Sequence, residues 1–292
     1  MITSQAYYKN LILSLSILST TIISSVSQAN TFGDIDIGVI NDDNLTRSDY
    51  NSDKKAGTAL ELFADYGKFY DLNNNLSATS SLFVQYTSHF DYDKLSTFGF
   101  GVSGSLRKKL GLGAYSSSVQ SILSITANNV NDSKRDNKTL DLSLGWNKRL
   151  NDMWELSAGV SLDNSDATNK VFDTSGTSIY FSSDYTISEK LLLNFGVSQR
   201  SGDIISVTST SNPNYTYISL ASGTNNISDK VFGSGLTAYR VNATTLILKT
   251  SLSYALNDDS SFNVGYEHQN SSLAYGIDYK NNIIRANYIY IF

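Results

Sequence analysis

The 292-residue sequence predicts an all-β chain folded as one membrane-spanning, antiparallel, up-and-down β-barrel of about 12 strands, on three observations. Apolar residues recur at every second position through most of the chain, the period of a strand with one apolar and one polar face. Short polar turns alternate with longer polar loops, giving five turns and six loops and an even strand number. The composition is polar yet aromatic: Tyr 19 and Phe 13, Cys absent, one Pro, 17% charged residues. Such a mixture suits a wall that alternates lipid-facing and water-facing side chains, because alternation keeps mean hydropathy low.

The first residues follow a different pattern. Lys9 precedes an apolar stretch from Leu11 to Val26, and the segment closes on Ser27-Gln28-Ala29. A positive residue, an apolar stretch and small residues before a cut describe a secretory signal peptide, residues 1–29, with the barrel occupying 30–292. No later run approaches the roughly 18 apolar residues of a membrane-spanning helix. A chain that crosses a membrane without such helices must close into a barrel, which alone satisfies its backbone there.

The strands are then expected in order. Ile35, Ile37 and Val39 share a face against Asp34, Asp36 and Gly38; a polar loop from Asp42 to Lys55 follows. The second strand sets Leu60, Leu62, Ala64 and Tyr66 against Glu61 and Asp65, and the third, after the turn 71–75, carries Leu82, Val84 and Tyr86. Phe98, Phe100 and Val102 mark the fourth, with a turn at 108–111; a fifth is expected from about Leu112 to Ala127. Leu140, Leu142, Leu144 and Trp146 against Asp141, Ser143, Gly145 and Asn147 give the sixth. That alternation pins its own register, since a slip of one residue would put the polar set in lipid.

Strands seven to nine follow around Leu156–Leu162, Ile179–Ile187 and Leu191–Arg200. From Gly202 to about Tyr239 the pattern weakens into a Ser/Thr/Asn/Gly stretch holding Pro213, expected to be the largest loop, with room for a short hairpin at Tyr215–Leu220. Strand ten runs to Leu256 with Lys249 on its polar face, strand eleven sets Phe262, Val264 and Tyr266 against Glu267, and a loop at 269–279 leads to strand twelve.

The last stretch, Lys280 to Phe292, places Ile284, Ala286, Tyr288, Tyr290 and Phe292 on one face and Arg285 and Asn287 on the other. A strand with aromatic residues at its final alternate positions resembles the C-terminal signal strand of Gram-negative outer-membrane β-barrels. In that family the strand is read by the insertion machinery and closes the barrel against the first strand. The resemblance makes Tyr288, Tyr290 and Phe292 the candidate insertion signal. It also implies an outer-membrane location, with barrel-assembly machinery, periplasmic chaperones, outer-membrane lipid and lipopolysaccharide as partners. A second resemblance, over Gly38 to Asn44 with Arg47 and Asp49, is to the opening strand and loop of porin-like barrels, and implies passive passage or export.

The polar faces carry the candidate pore lining: Asp34, Asp36, Glu61, Asp65, Asp141, Arg200, Lys249, Glu267 and Arg285. Facing acids and bases in a water-filled lumen set which solutes pass; in a narrow barrel the same groups pair and fill it. The expected function is a porin-like channel for small hydrophilic solutes. One alternative is a closed barrel acting as a surface scaffold or adhesion protein through its loops, and the other is a lipid-modifying enzyme. The enzyme reading would need His89 or His268 beside a Ser or a carboxylate, and His268-Gln269-Asn270-Ser271 and Asn41-Asp42-Asp43-Asn44 are only fragments of such a site, so no enzyme is expected. The formal charge of -5, without a concentrated basic face, argues against nucleic acid. The Asp34–Asp43 region lacks calcium-loop spacing, and neither cofactor nor metal is expected.

Overall fold

The computed structural model describes residues 29–292; apart from Ala29, the expected signal peptide lies outside the described residues. Thirteen strands form one antiparallel sheet, of which twelve close on themselves. They are β1 (Ala29–Asp42), β2 (Gly57–Asn73), β3 (Leu76–His89), β4 (Thr97–Lys109), β5 (Ser118–Val130) and β6 (Asn137–Arg149). Then come β7 (Trp154–Ala167), β8 (Thr174–Ser188), β9 (Leu191–Ser209), the short β10 (Asn226–Asp229), β11 (Leu236–Ala255), β12 (Ser260–Leu273) and β13 (Asp278–Ile291). Each wall strand pairs with its neighbour in sequence, β9 pairs with β11 past the small β10, and β13 pairs with β1. Every wall strand thus has both edges bonded, as a hydrocarbon surround demands.

The alternation read from the sequence holds through the registers. Leu62 stands opposite Tyr86, Leu82 opposite Val102, Ile125 opposite Leu140 and Leu142 opposite Leu162. This outer face is exposed in the isolated chain, with Leu82 at 55% and Ile179 at 65%. A continuous apolar face around a closed sheet is stable only against lipid. Trp154 meets Tyr185 edge-on at 5.3 Å near the end bearing the tight turns, the depth at which aromatic residues favour an interface.

The seam joins β1 to β13 from Asp34↔Ile291 to Asp42↔Ile283. Gly33 and Phe292 add a reciprocal backbone pair, Gly33 N to Phe292 O at 3.0 Å and Phe292 N to Gly33 O at 2.9 Å. The Phe292 ring covers Gly33 so closely that a Cβ there would sit 2.6 Å from the ring. Glycine is therefore needed at 33 for the closing aromatic to lie flat on the wall.

Several boundaries differ from those read in the sequence. Residues 110–117 form a turn rather than the start of strand five: Gly113 has φ +98° and the Ser116 hydroxyl donates to Leu112 O at 2.6 Å. The last loop shrinks to 274–277 because β12 runs on to Leu273. Long and short connections therefore do not alternate strictly. The 202–239 stretch is mostly not loop: β9 continues to Ser209 and β11 begins at Leu236. Instead of a hairpin at 215–220 there is a helix, α1 (Tyr215–Ser222), ended by Gly223 at φ +60°. Its buried residues, Ile218 and Ser222, are four apart, a helical spacing masked by the strand-like alternation of Tyr215 and Tyr217.

Candidate functional site

The faces opposite the lipid-facing residues form the inner wall, and all nine candidate lining residues fall on them by register. Asp34 and Asp65 are direct cross-strand partners, as are Glu267 and Lys249. Asp141 pairs directly with Asp163 of β7. Four of the candidates engage in pairs: Arg285 Nε lies 3.0 Å from Glu61, and Lys249 Nζ 3.0 Å from Glu267. Arg200 instead binds Asp163 through both Nη2, at 2.6 Å, and Nε, at 3.0 Å. It lies over Gly176, where a Cβ would collide with the guanidinium.

The pairs do not fill the interior. A cavity of ≈ 420 Å³ is bordered by Asp36, Glu61, Gln85 and Arg285, and one of ≈ 210 Å³ by Asn194, Lys249, Glu267 and Arg285. Arg285 and Asn287 border both, and Asn287 donates to Asp36 at 2.8 Å. Asp34 and Asp65 face each other as two carboxylates, and Asp65 Oδ1 is buried without a hydrogen-bond partner.

The candidate list missed Asp163, Asn287 and three aromatics of this wall. Asp163 and Asn287 were legible, since both lie in phase with lining residues of their strands. The aromatics were not: Phe63 and Phe83 stack at 5.6 Å on the polar face, and Tyr180 lies across Gly145 and Gly159. Each interrupts the polar phase next to an apolar residue, where alternation alone carries no signal.

At the end bearing the longer loops, the barrel holds its packed core. Ile218 of α1, Tyr239, Val241, Ile204, Leu273 and Tyr279 form one buried cluster. A second joins Val207, Leu236 and Ala238 to Val171, Phe172 and Phe232. Loop 43–56 folds onto the extended β9: Thr46 O accepts from Val207 N at 2.8 Å and Arg47 O from the Ser206 hydroxyl at 2.9 Å. The Asp53 carboxylate takes three hydrogen bonds, from the Thr208 hydroxyl at 2.6 Å, Ser209 N at 2.7 Å and the Ser209 hydroxyl at 3.0 Å. Asp49 accepts from Asn212 and Asn214. The stretch expected to be the largest loop is therefore locked to the mouth.

No family model matches the chain, and no curated protein matches it. Among solved structures it is similar to an outer membrane channel from Pseudomonas putida F1, at 11% identity and TM-score 0.59, covering 90% of this chain and 95% of that one. The fold is that of the outer-membrane β-barrels. The KdgM porin in complex with disordered oligogalacturonate, at 12% identity and TM-score 0.49 over 88% and 98%, lies below the similarity that adds to this assignment. The same holds for the translocator domain of autotransporter NalP from Neisseria meningitidis, at 10% and 0.43 over 98% and 96%.

In this outer-membrane barrel His268 is kept apart from the serine of its own fragment, while His89 is on the inner face, its backbone amide donating to the Ser96 hydroxyl at 3.1 Å. His268 is on the lipid-facing side, opposite Leu248, its Nδ1 2.9 Å from Asn282 Oδ1. Ser271 is on the inner face, buried and bonded to Thr245 at 2.8 Å. The wall separates the two halves of that fragment. Asp43 binds the Asn282 amide, and Asp42 binds Asn44 N and Asn281; both serve as local structural acceptors.

Proposed function

We propose that the chain is a porin-like channel through which small hydrophilic solutes cross the outer membrane, with the nine charged residues lining its path and residues 1–29 directing export. The accessible ion pairs that border the two inner cavities carry this reading. The Lys249 side chain is 53% and the Arg285 side chain 42% accessible, so solute and water reach both. Tyr288, Tyr290 and Phe292 are proposed as the signal read by the assembly machinery.

Single-channel recording of the refolded mature protein in asymmetric salt tests the channel. Discrete steps are expected, with reversal potentials that move in opposite directions in Arg285→Gln and Asp65→Asn. Conductance indifferent to both substitutions removes the two residues from the path, and silence from folded protein removes the channel. The scaffold reading is disfavoured by the locking of residues 210–235 onto the mouth. Trimming within 210–235, which spares the wall ends of β9 and β11, is expected to leave conductance in place.

A further inference from the structure

The connection between β9 and β11 stands diametrically opposite the loop between β3 and β4. Strands β4 to β9 lie on one side, and β11, β12, β13, β1, β2 and β3 on the other, six each way. Yet the two connections meet. Phe232, at the tip of the β10–β11 hairpin, packs edge-on against Tyr92 of the β3–β4 loop, ring centroids 5.0 Å apart. Leu45 of the β1–β2 loop joins the same apolar cluster. Asp229 of β10 forms an ion pair with Arg135 of the β5–β6 loop, their side chains only 1% and 16% accessible. The Arg135 guanidinium lies 4.0 Å above the Phe172 ring of the β7–β8 loop. A segment rooted at one point of a ring and touching the opposite point crosses the mouth.

The tip is fastened differently from the rest of the mouth. Loop 43–56 is tied to β9 through its backbone, by the bond from Val207 N to Thr46 O, whereas no described backbone hydrogen bond joins residues 226–235 to 90–96 or to 131–136. Side chains alone hold it there, so it can part from both loops without breaking a strand ladder. A cavity of ≈ 340 Å³, bordered by Lys94, Lys134 and Lys230, lies between the tip and these loops, so the joint is not close-packed as a permanent core would be. The arm behind it is rigid by comparison, since Leu236–Tyr239 pair with β9 on one edge and β10 on the other.

We propose that residues 226–235 are a strap that closes the outer mouth and lifts to let solute through, with the Arg135–Asp229 ion pair as its latch. The inference rests on the lumen being a solute path and adds a gate to it.

The chain has no cysteine, so Lys94→Cys combined with Lys230→Cys, both on the border of that cavity, can be bridged by a bis-maleimide with a reducible linker in the refolded mature protein. A cross-linked peptide pair is expected by mass spectrometry; its absence, with each single cysteine still labelled, overturns the strap. Single-channel current is expected to be lost on cross-linking and regained when the linker is cleaved, while the single-cysteine variants keep theirs after the same treatment. Current that the cross-link does not change overturns the strap and leaves the channel standing. Asp229→Asn keeps the Oδ1 that accepts from Val231 N at 2.8 Å and removes only the charge. Because breaking a buried pair is costly, its open fraction is expected to rise about tenfold or more; an open fraction equal to wild type overturns the latch. Silence from folded wild type and folded Asp229→Asn alike overturns strap and channel together.

Discussion

Around the wall, Leu82, Ile179 and Phe195 are 51% or more exposed and the inner face carries charge; at the outer mouth, Ile218, Tyr239 and Tyr279 are 0–2% exposed. The wall is built for two solvents and owes its order to a closed ladder of backbone hydrogen bonds. The mouth is built like a small water-soluble domain, with an apolar cluster, a helix and buried hydrogen-bonded polar residues such as Asn44 and Thr208. One chain thus contains two kinds of stability, and substitutions that strike one of them test whether the other stands by itself.

Replacing Ile218, the fully buried residue of α1, by Asp removes an apolar anchor and buries a charge. The mouth is expected to loosen by more than about 3 kcal/mol, seen as proteolysis within 210–235 accelerated at least about 100-fold, while the folded-barrel band on an unheated gel persists. Loss of that band would show that the wall depends on the mouth. Asp53→Ala removes an acceptor of three hydrogen bonds and is expected to cost roughly 2–3 kcal/mol, with a smaller rise in the same cleavage; unchanged cleavage would mean that the apolar clusters alone hold the loop.

Gly33→Val probes the wall alone. Its side chain meets the Phe292 ring, and about 1–3 kcal/mol of strain is expected, measured as a lower thermal midpoint of the barrel with cleavage at 210–235 unaltered. Adding Phe292→Ala should recover much of the loss, and a double variant no better than the single one would place the strain elsewhere. The smallest effect belongs to the lumen. Arg285→Gln breaks an accessible ion pair worth about 1 kcal/mol or less, so its thermal midpoint should barely move while its reversal potential does.

The wall was legible in the sequence because lipid and water impose opposite demands on alternate residues. The strands from Asp34 to Tyr66 and from Leu140 to Trp146 announce face and register together. The nine charges fell on the inner face for the same reason, since parity alone assigns them. Their partners were less legible: Arg200 reaches Asp163 across β8, a geometry set by how the wall curves. The mouth was hardly legible at all. Gly202–Ser209 and Leu236–Tyr239 are strands without the wall's alternation, because both faces of this hairpin meet protein rather than lipid on one side and water on the other. Loop 43–56 gave no signal of where it docks, for its partners Thr208 and Ser209 lie more than 150 positions along the chain.

That hairpin creates a difficulty which a closed barrel otherwise lacks. Where β9 outruns β8 beyond Gly202 and β11 outruns β12 before Ala243, two strand edges with unpaired backbone groups rise above the membrane. Exposed edges of this kind invite pairing with neighbouring molecules, a particular danger among proteins crowded in a plane. Both are covered from within the chain: Val207 N is taken by Thr46 O, and β10 pairs with Leu236–Tyr239. Loop 43–56 and the 226–229 strand therefore act as insulation, and a variant that strips either one is expected to cluster with its own kind at the cell surface before it loses its fold.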